Sequence, residues 1–188
     1  MSRRVLGVDP GLTRCGIAVV EVSSNRTVKF VAVDTATTVA AMPLPERIER
    51  IGSAIEMQIL EHNPDLVAIE RVFAQANLRS VMGVAQISGV VLWLCAKYNI
   101  QVQFHTPSEV KSAVTGNGRA NKQQVGTMVS KLLGLKEIPK PADSADALAI
   151  AITAGWRPEP IDQDARVAGS ELTKAQKAWA AALRASKK

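Results

Sequence analysis

The sequence predicts an α/β domain built on a mixed five-stranded sheet with helices on both faces. Three observations carry that prediction. Three β-branched runs follow one another before any helical periodicity begins, as in an antiparallel meander. Two later apolar runs are each reached through a helical stripe, which gives the order βββαβαβααα. Apolar residues make up 47% and charged residues 21% of 188 positions, enough for one packed core and too apolar for wholesale disorder.

The elements follow in chain order. Val5 to Val8, Gly16 to Val22 and the alternating Thr27 to Val33 read as the meander, each bounded by turn residues. Pro45 to His62 places Ile48, Ile51, Ile55 and Ile59 on one helical stripe, which Asn63-Pro64 stops. Asp65 to Glu70 reads as a buried fourth strand. Leu78 to Tyr98 is a long helix, apolar on more than one face, which must be covered by the sheet and by something else, a second subunit among the options. Ile100 to Phe104 makes the fifth strand. Pro107 opens a short helix through Val114, Thr115 to Gly118 forms a two-glycine loop, and helices follow at Asn121 to Leu133 and Asp143 to Ala154.

After Trp156 the character changes. Residues 157–169 carry Pro158, Pro160 and several charges without periodicity, so they read as a linker. Ser170 is placed to cap a basic amphipathic helix with Leu172, Ala175, Trp179, Ala182 and Leu183 on one stripe. The expected division is a domain at 1–156 and a tail at 157–188.

Several classes are excluded. The longest apolar run, Gly89 to Ala96, falls far short of the roughly 20 residues that span a bilayer, so no membrane is expected. Asp9 interrupts the first apolar stretch too early for a signal peptide, and the cytoplasm is the expected compartment. Cys15 and Cys95 have neither disulfide-scaffold nor zinc-site spacing. Lys and Arg number 23 against 17 Asp and Glu, a net charge of +6 that favours polyanionic partners. Between Lys111 and Lys140 six basic residues face one acid, Glu137, so part of that excess is concentrated.

Four acids stand apart from the basic stretch. Asp9 closes a buried run before Pro10-Gly11, Glu70 closes an apolar strand, and Asp143 and Asp146 lie three apart at a helix start, on one face. Singly, Asp9 fits a turn, Asp143 fits a helix cap, and Glu70 gains nothing from packing where it stands. If strands one and four are neighbours, the four carboxylates gather at one sheet edge, where α/β sites form. Such a cluster needs cations. Oxygen-only donors favour Mg²⁺ or Mn²⁺, and two ions about 4 Å apart would activate water and stabilise the leaving oxygen of a phosphoryl displacement. No Ser-His-Asp or Cys-His pattern suggests a covalent route, and His62 and His105 read as surface or capping residues.

These residues carry a resemblance. GVDPGLTRCG (7–16), AIERVFAQAN (68–77), TPSEVKSAVTGNGRANKQQV (106–125) and PADSADALAIA (141–151), in that order, resemble the RuvC Holliday-junction resolvases of the ribonuclease-H-like superfamily, from about Arg4 to Trp156. The resemblance implies a ribonuclease-H-like fold and a homodimer acting on four-way junction DNA in recombination and repair. It implies paired symmetric nicks that leave 5′-phosphate and 3′-hydroxyl ends. It also implies that Asp9, Glu70, Asp143 and Asp146 are the catalytic metal ligands for Mg²⁺, with Mn²⁺ able to substitute and two ions per site. Some relatives carry His at the third position; Asp143 stands there in this chain.

On the same basis Lys111 and Lys122 are expected on backbone phosphates. Gly116 and Gly118 let their loop approach DNA closely. Phe73 is either a core anchor for its loop or a wedge stacked on an unpaired base. Asn77, Arg79 and Ser80 open the long helix, where they can meet phosphates. That helix is the candidate dimer contact, with intrachain core as the competing reading. The tail is a DNA-binding arm, a docking helix for the RuvA–RuvB branch-migration complex, or a solvated end. The rivals are an ATPase of the actin, hexokinase and Hsp70 group, a non-catalytic branched-DNA-binding protein, and a related nuclease with another substrate.

Overall fold

The computed structural model describes residues 2–71 and 78–157, with backbone alone for 78–80. The expectations for Phe73 and Asn77, for the side chains of Arg79 and Ser80, and for the tail from 158 onward lie outside the described residues.

Strands β1 (Ser2–Asp9), β2 (Arg14–Ser23) and β3 (Val28–Thr37) form the antiparallel meander. Helix α1 (Leu44–His62) leads to β4 (Leu66–Glu70), and α2 (Leu78–Tyr98) leads to β5 (Gln101–His105). Both later strands run parallel to β1, so the sheet order is β3-β2-β1-β4-β5. Helices α3 (Pro107–Thr115), α4 (Lys122–Leu133) and α5 (Ala142–Trp156) complete the chain. The mixed five-stranded sheet is as expected. The third strand runs four residues further than its alternation implied, to Thr37, because it stays paired with Arg14 at the far end of β2.

Side-chain parity sorts the core into two layers. Val5, Ala18, Val20, Leu66 and Ala68 face α3, α4 and α5, whereas Leu6, Val8, Ile17, Val19, Val67 and Ile69 face α1 and α2. Every buried strand position therefore has an apolar helix face above it.

The two helical layers differ in how they seal. Helix α5 is buried from Ser144 to Ala154 at every position but Asp146 and lies directly across β1 and β2. Two glycines permit that approach: a Cβ at Gly7 would meet the Ala147 carbonyl, and one at Gly16 the Asp143 carbonyl. On the other face, α2 buries Ile87, Val91, Leu94 and Cys95 against the sheet but leaves Met82, Leu92 and Trp93 exposed. The described residues thus cover one side of α2 and leave Met82, Leu92 and Trp93 exposed on the other. By length and composition Val81–Tyr98 is also long and apolar enough to cross a membrane. Counting uninterrupted apolar runs missed this because Gln86 and Ser88 break the run. With four of its residues in the core, the helix is packed as a core element.

Candidate active site

The sheet itself brings Asp9 and Glu70 together. Val8 pairs in parallel with Ile69, so the next residues, Asp9 and Glu70, close adjacent strands side by side. Asp9 shares parity with Val5 and Gly7, and Glu70 shares it with Leu66 and Ala68, so both carboxylates face the α5 layer. There α5 begins, with Asp143 in its first turn and Asp146 one turn on. Asp143 does not cap the helix; Pro141 is the cap residue and makes no side-chain bond.

Asp9, Glu70 and Asp146 line one cavity of about 270 Å³ together with Lys111 and Lys122. Asp143 opens instead onto a neighbouring cavity of about 540 Å³, lined also by Gly11, Arg14 and Arg47. The four carboxylates are thus divided between two cavities, with Asp143 and Asp146 about one turn apart on α5.

Its electrostatics are unfavourable to bare carboxylates. The Asp9 carboxyl is pushed up to about 7, first by burial and then by Glu70, Asp146 and Asp143, with Lys122 opposing. Glu70 is raised as well, first by burial and next by Asp146. Lys122 Nζ donates to Asp146 Oδ2 at 3.1 Å, and that bond is the main reason its own pKa rises. Arg14 Nε lies 3.0 Å from Asp143 Oδ2. That contact is an ion pair without hydrogen-bond alignment, since this buried oxygen accepts no hydrogen bond among the described residues.

The donor set fits a hard divalent cation. All four groups are carboxylates, two resist ionisation through burial first and neighbouring carboxylates next, and a third keeps an unsatisfied buried oxygen. Among the described residues no three acidic, His or Cys side chains are already drawn to metal-binding separation.

Lys111 and Lys122 reach the cleft as expected. His105, expected at the surface, is instead only 1% exposed, its Nε2 3.2 Å from Gln103 Oε1. It pairs in register with Glu70, on the face covered by the α5 layer, and burial followed by the Arg157 charge lowers it to about 4. Arg14 and Arg47 went unrecognised in the sequence. Parity could have found Arg14, which shares a face with Gly16 and Ala18 beneath α5. Arg47 carries no such signal.

A carboxylate-lined cleft at the end of β1 and β4, under the first turn of a helix packed across a mixed sheet, defines the class as a ribonuclease-H-like nuclease. The family model described as "Crossover junction endodeoxyribonuclease RuvC" matches residues 5–154. The chain belongs to the RuvC family. Its relatives include the crossover junction endodeoxyribonuclease RuvC of Renibacterium salmoninarum, 53% identical over 176 residues that cover 94% of this chain and 90% of the relative. That of Saccharopolyspora erythraea is 56% identical over 154 residues, 82% of this chain and 77% of the relative. Thermus thermophilus RuvC, solved in complex with a Holliday junction substrate, superposes with a TM-score of 0.77 at 34% identity, covering 82% and 94% of the two chains. The yeast mitochondrial Holliday junction resolvase shares the fold at 14% identity and a TM-score of 0.58.

Proposed function

We propose that this crossover junction endodeoxyribonuclease resolves Holliday junctions with paired symmetric nicks, leaving 5′-phosphate and 3′-hydroxyl ends, in recombination and repair. Asp9, Glu70, Asp143 and Asp146 hold the divalent cations on which the family depends. We assign these as Mg²⁺, replaceable by Mn²⁺, two to a site. The observation that carries the reading is the placement of Asp9 and Glu70 on adjacent strand ends beneath the first turns of α5, which bear Asp143 and Asp146. When bound, the cations supply the field that activates water and stabilises the departing 3′-oxygen of an in-line displacement.

The chain's own residues prepare that geometry. β1 and β4 fix two carboxylates on rigid adjacent strand ends, and α5 is locked above them by its contact with Gly7 and Gly16. Lys122, three-quarters exposed, exchanges Asp146 for a backbone phosphate, and Lys111 takes a neighbouring one. Phe73 stacks on an unpaired base at the crossover, and Asn77 and Arg79 meet the backbone beside it. A second copy of the chain covers Met82, Leu92 and Trp93 on α2, so that two sites face the two cut strands. The nuclease domain occupies 1–156. The tail at 157–188 serves as an arm for DNA or as a docking element for the RuvA–RuvB complex. The enzyme works in the cytoplasm, where its DNA lies.

The test is cleavage of a synthetic immobile four-way junction with Mg²⁺, Mn²⁺ or EDTA, beside Asp9→Asn and Asp146→Asn. Paired metal-dependent nicks confined to the junction and lost in both variants are expected. Tight junction binding without cutting under either metal would make the chain a binding protein. Cutting confined to a fork or an RNA–DNA hybrid would give it another substrate.

A further inference from the structure

The cavity that Asp143 opens onto contains two guanidinium groups that the reaction as described does not use. Arg47, reaching over from α1, is fixed by three hydrogen bonds: Nε to Thr38 Oγ1 at 2.9 Å, Nη2 to the Leu12 carbonyl at 3.2 Å, and Nη2 to Thr13 Oγ1 at 3.1 Å. Arg14 stands at the start of β2 with 62% of its side chain exposed, committing only Nε, to Asp143. Two cations against one carboxylate leave this cavity with a net charge of +1. Guanidinium carries five N–H donors in a planar fork, so both residues keep donors for a further acceptor. Arg47 is already immobilised by its protein bonds, and ordering it around a ligand costs little further entropy.

Position decides what that acceptor is. The cavity adjoins the one holding Lys111 and Lys122: Asp9 belongs to one and Gly11 to the other, and Asp146 and Asp143 are divided in the same way. Asp143 and Asp146 are about 4.5 Å apart along the helix axis. A DNA strand carries a phosphate every 3.4 Å or so of its axis. With its scissile phosphate at the carboxylates and a neighbour on the lysines, a strand has its next phosphate within a few ångströms of the adjoining arginine cavity, whose net positive charge suits it.

We propose that Arg14 and Arg47 form a phosphate-binding site for the cut strand, across the carboxylates from the lysines, so that the strand is held on both sides of the scissile bond. This inference rests on the junction-nuclease reading. In this arrangement Arg14 has two partners: it balances Asp143 in the free protein and turns to the phosphate when DNA is seated.

The experiment measures junction binding in EDTA, so that no cutting occurs, for wild type, Arg14→Gln and Lys122→Gln. Salt is titrated, and methylphosphonate is substituted at single linkages of the strand. Arg14→Gln should flatten the log–log salt dependence by about 0.7 to 0.9, one phosphate contact. One neutralised linkage should weaken wild type severalfold yet leave Arg14→Gln unaffected, and the linkage silenced by Lys122→Gln should be a different one. An unchanged salt slope, a loss spread evenly over all linkages, or the same linkage for both variants would overturn the arginine site while leaving the nuclease reading intact. A wild type with no preference for the junction over duplex would remove both.

Discussion

Replacing Asp9 by Asn should stabilise the metal-free protein, and increasingly so as the pH rises. The Asp9 carboxyl moves from its ordinary 3.8 to about 7, burial contributing most and Glu70 next. Between those values the folded chain holds a proton that the unfolded chain has released, so stability falls as pH rises through the window. At 1.36 kcal/mol per pH unit the full rise costs about 4 kcal/mol above pH 7, and about 2 kcal/mol at pH 5. Asparagine keeps the shape and never carries the charge. Its advantage over wild type should therefore grow by about 2–3 kcal/mol between pH 5 and pH 8, or roughly 4–12 °C in Tm for a domain of this size. The assay is thermal and urea unfolding of both proteins in EDTA at pH 5, 6.5 and 8, where the difference between them cancels the titrating groups that do not interact with Asp9. Adding Mg²⁺ at pH 8 should then raise the wild-type Tm more than that of the variant. Parallel pH curves for the two proteins, or an Asp9→Asn that is less stable at pH 8, would refute the claim that charge crowding strains this site.

Three further predictions concern the frame around the carboxylates. Gly16→Ala puts a methyl against the Asp143 carbonyl and should cost about 1–3 kcal/mol by urea unfolding, with junction cutting reduced by more than the loss of folded protein explains. His105 is held at about 4 by burial and Arg157, so as pH falls from 6.5 the unfolded chain gains a proton that the folded chain refuses. Stability should drop by about 3 kcal/mol across that window and stay flatter in His105→Gln, measured in the Asp9→Asn background where the opposing slope is absent. Arg47→Met removes the two bonds that tie α1 to the turn after Asp9 and the one to Thr38; it should cost about 2 kcal/mol in unfolding and raise the Mg²⁺ concentration needed for half-maximal cutting.

The fold was legible because its local and global signals agree. Ile51, Ile55 and Ile59 are spaced for a helix and are buried as one. The β-branched meander pairs antiparallel, and the strands reached through helices pair parallel, as chain connectivity requires. The open side of α2 was legible only as a need for cover, since periodicity says that a face is apolar without saying what lies on it. His105 was misjudged for a related reason. A polar residue at the end of an edge strand reads as exposed, and only the packing of α3 and α5, with Gln103 as hydrogen-bond partner, shows it to be interior.

The site was half legible, and the division has a physical cause. Asp9 and Glu70 end apolar strands, where a carboxylate has no packing reason to be, and Asp143 and Asp146 share a helical face; each fact is local. That they converge depends on the register of β1 with β4 and on two glycines that let α5 lie flat on the sheet, both properties of the assembled fold. Charge balance is less local still. The cation beside Asp146 comes from the N-terminal turn of α4, and the one beside Asp143 from the first residue of β2, 129 positions away in sequence. Arg47 bonds Thr38 nearby, but its reach to the site runs through bonds to a turn 34 and 35 residues earlier. An arginine on an amphipathic helix reads in sequence as any solvated charge until that turn is placed beneath it. Acids that bind cations betray themselves through their neighbours in sequence, whereas the basic groups that balance them and guide the substrate are selected by neighbours in space.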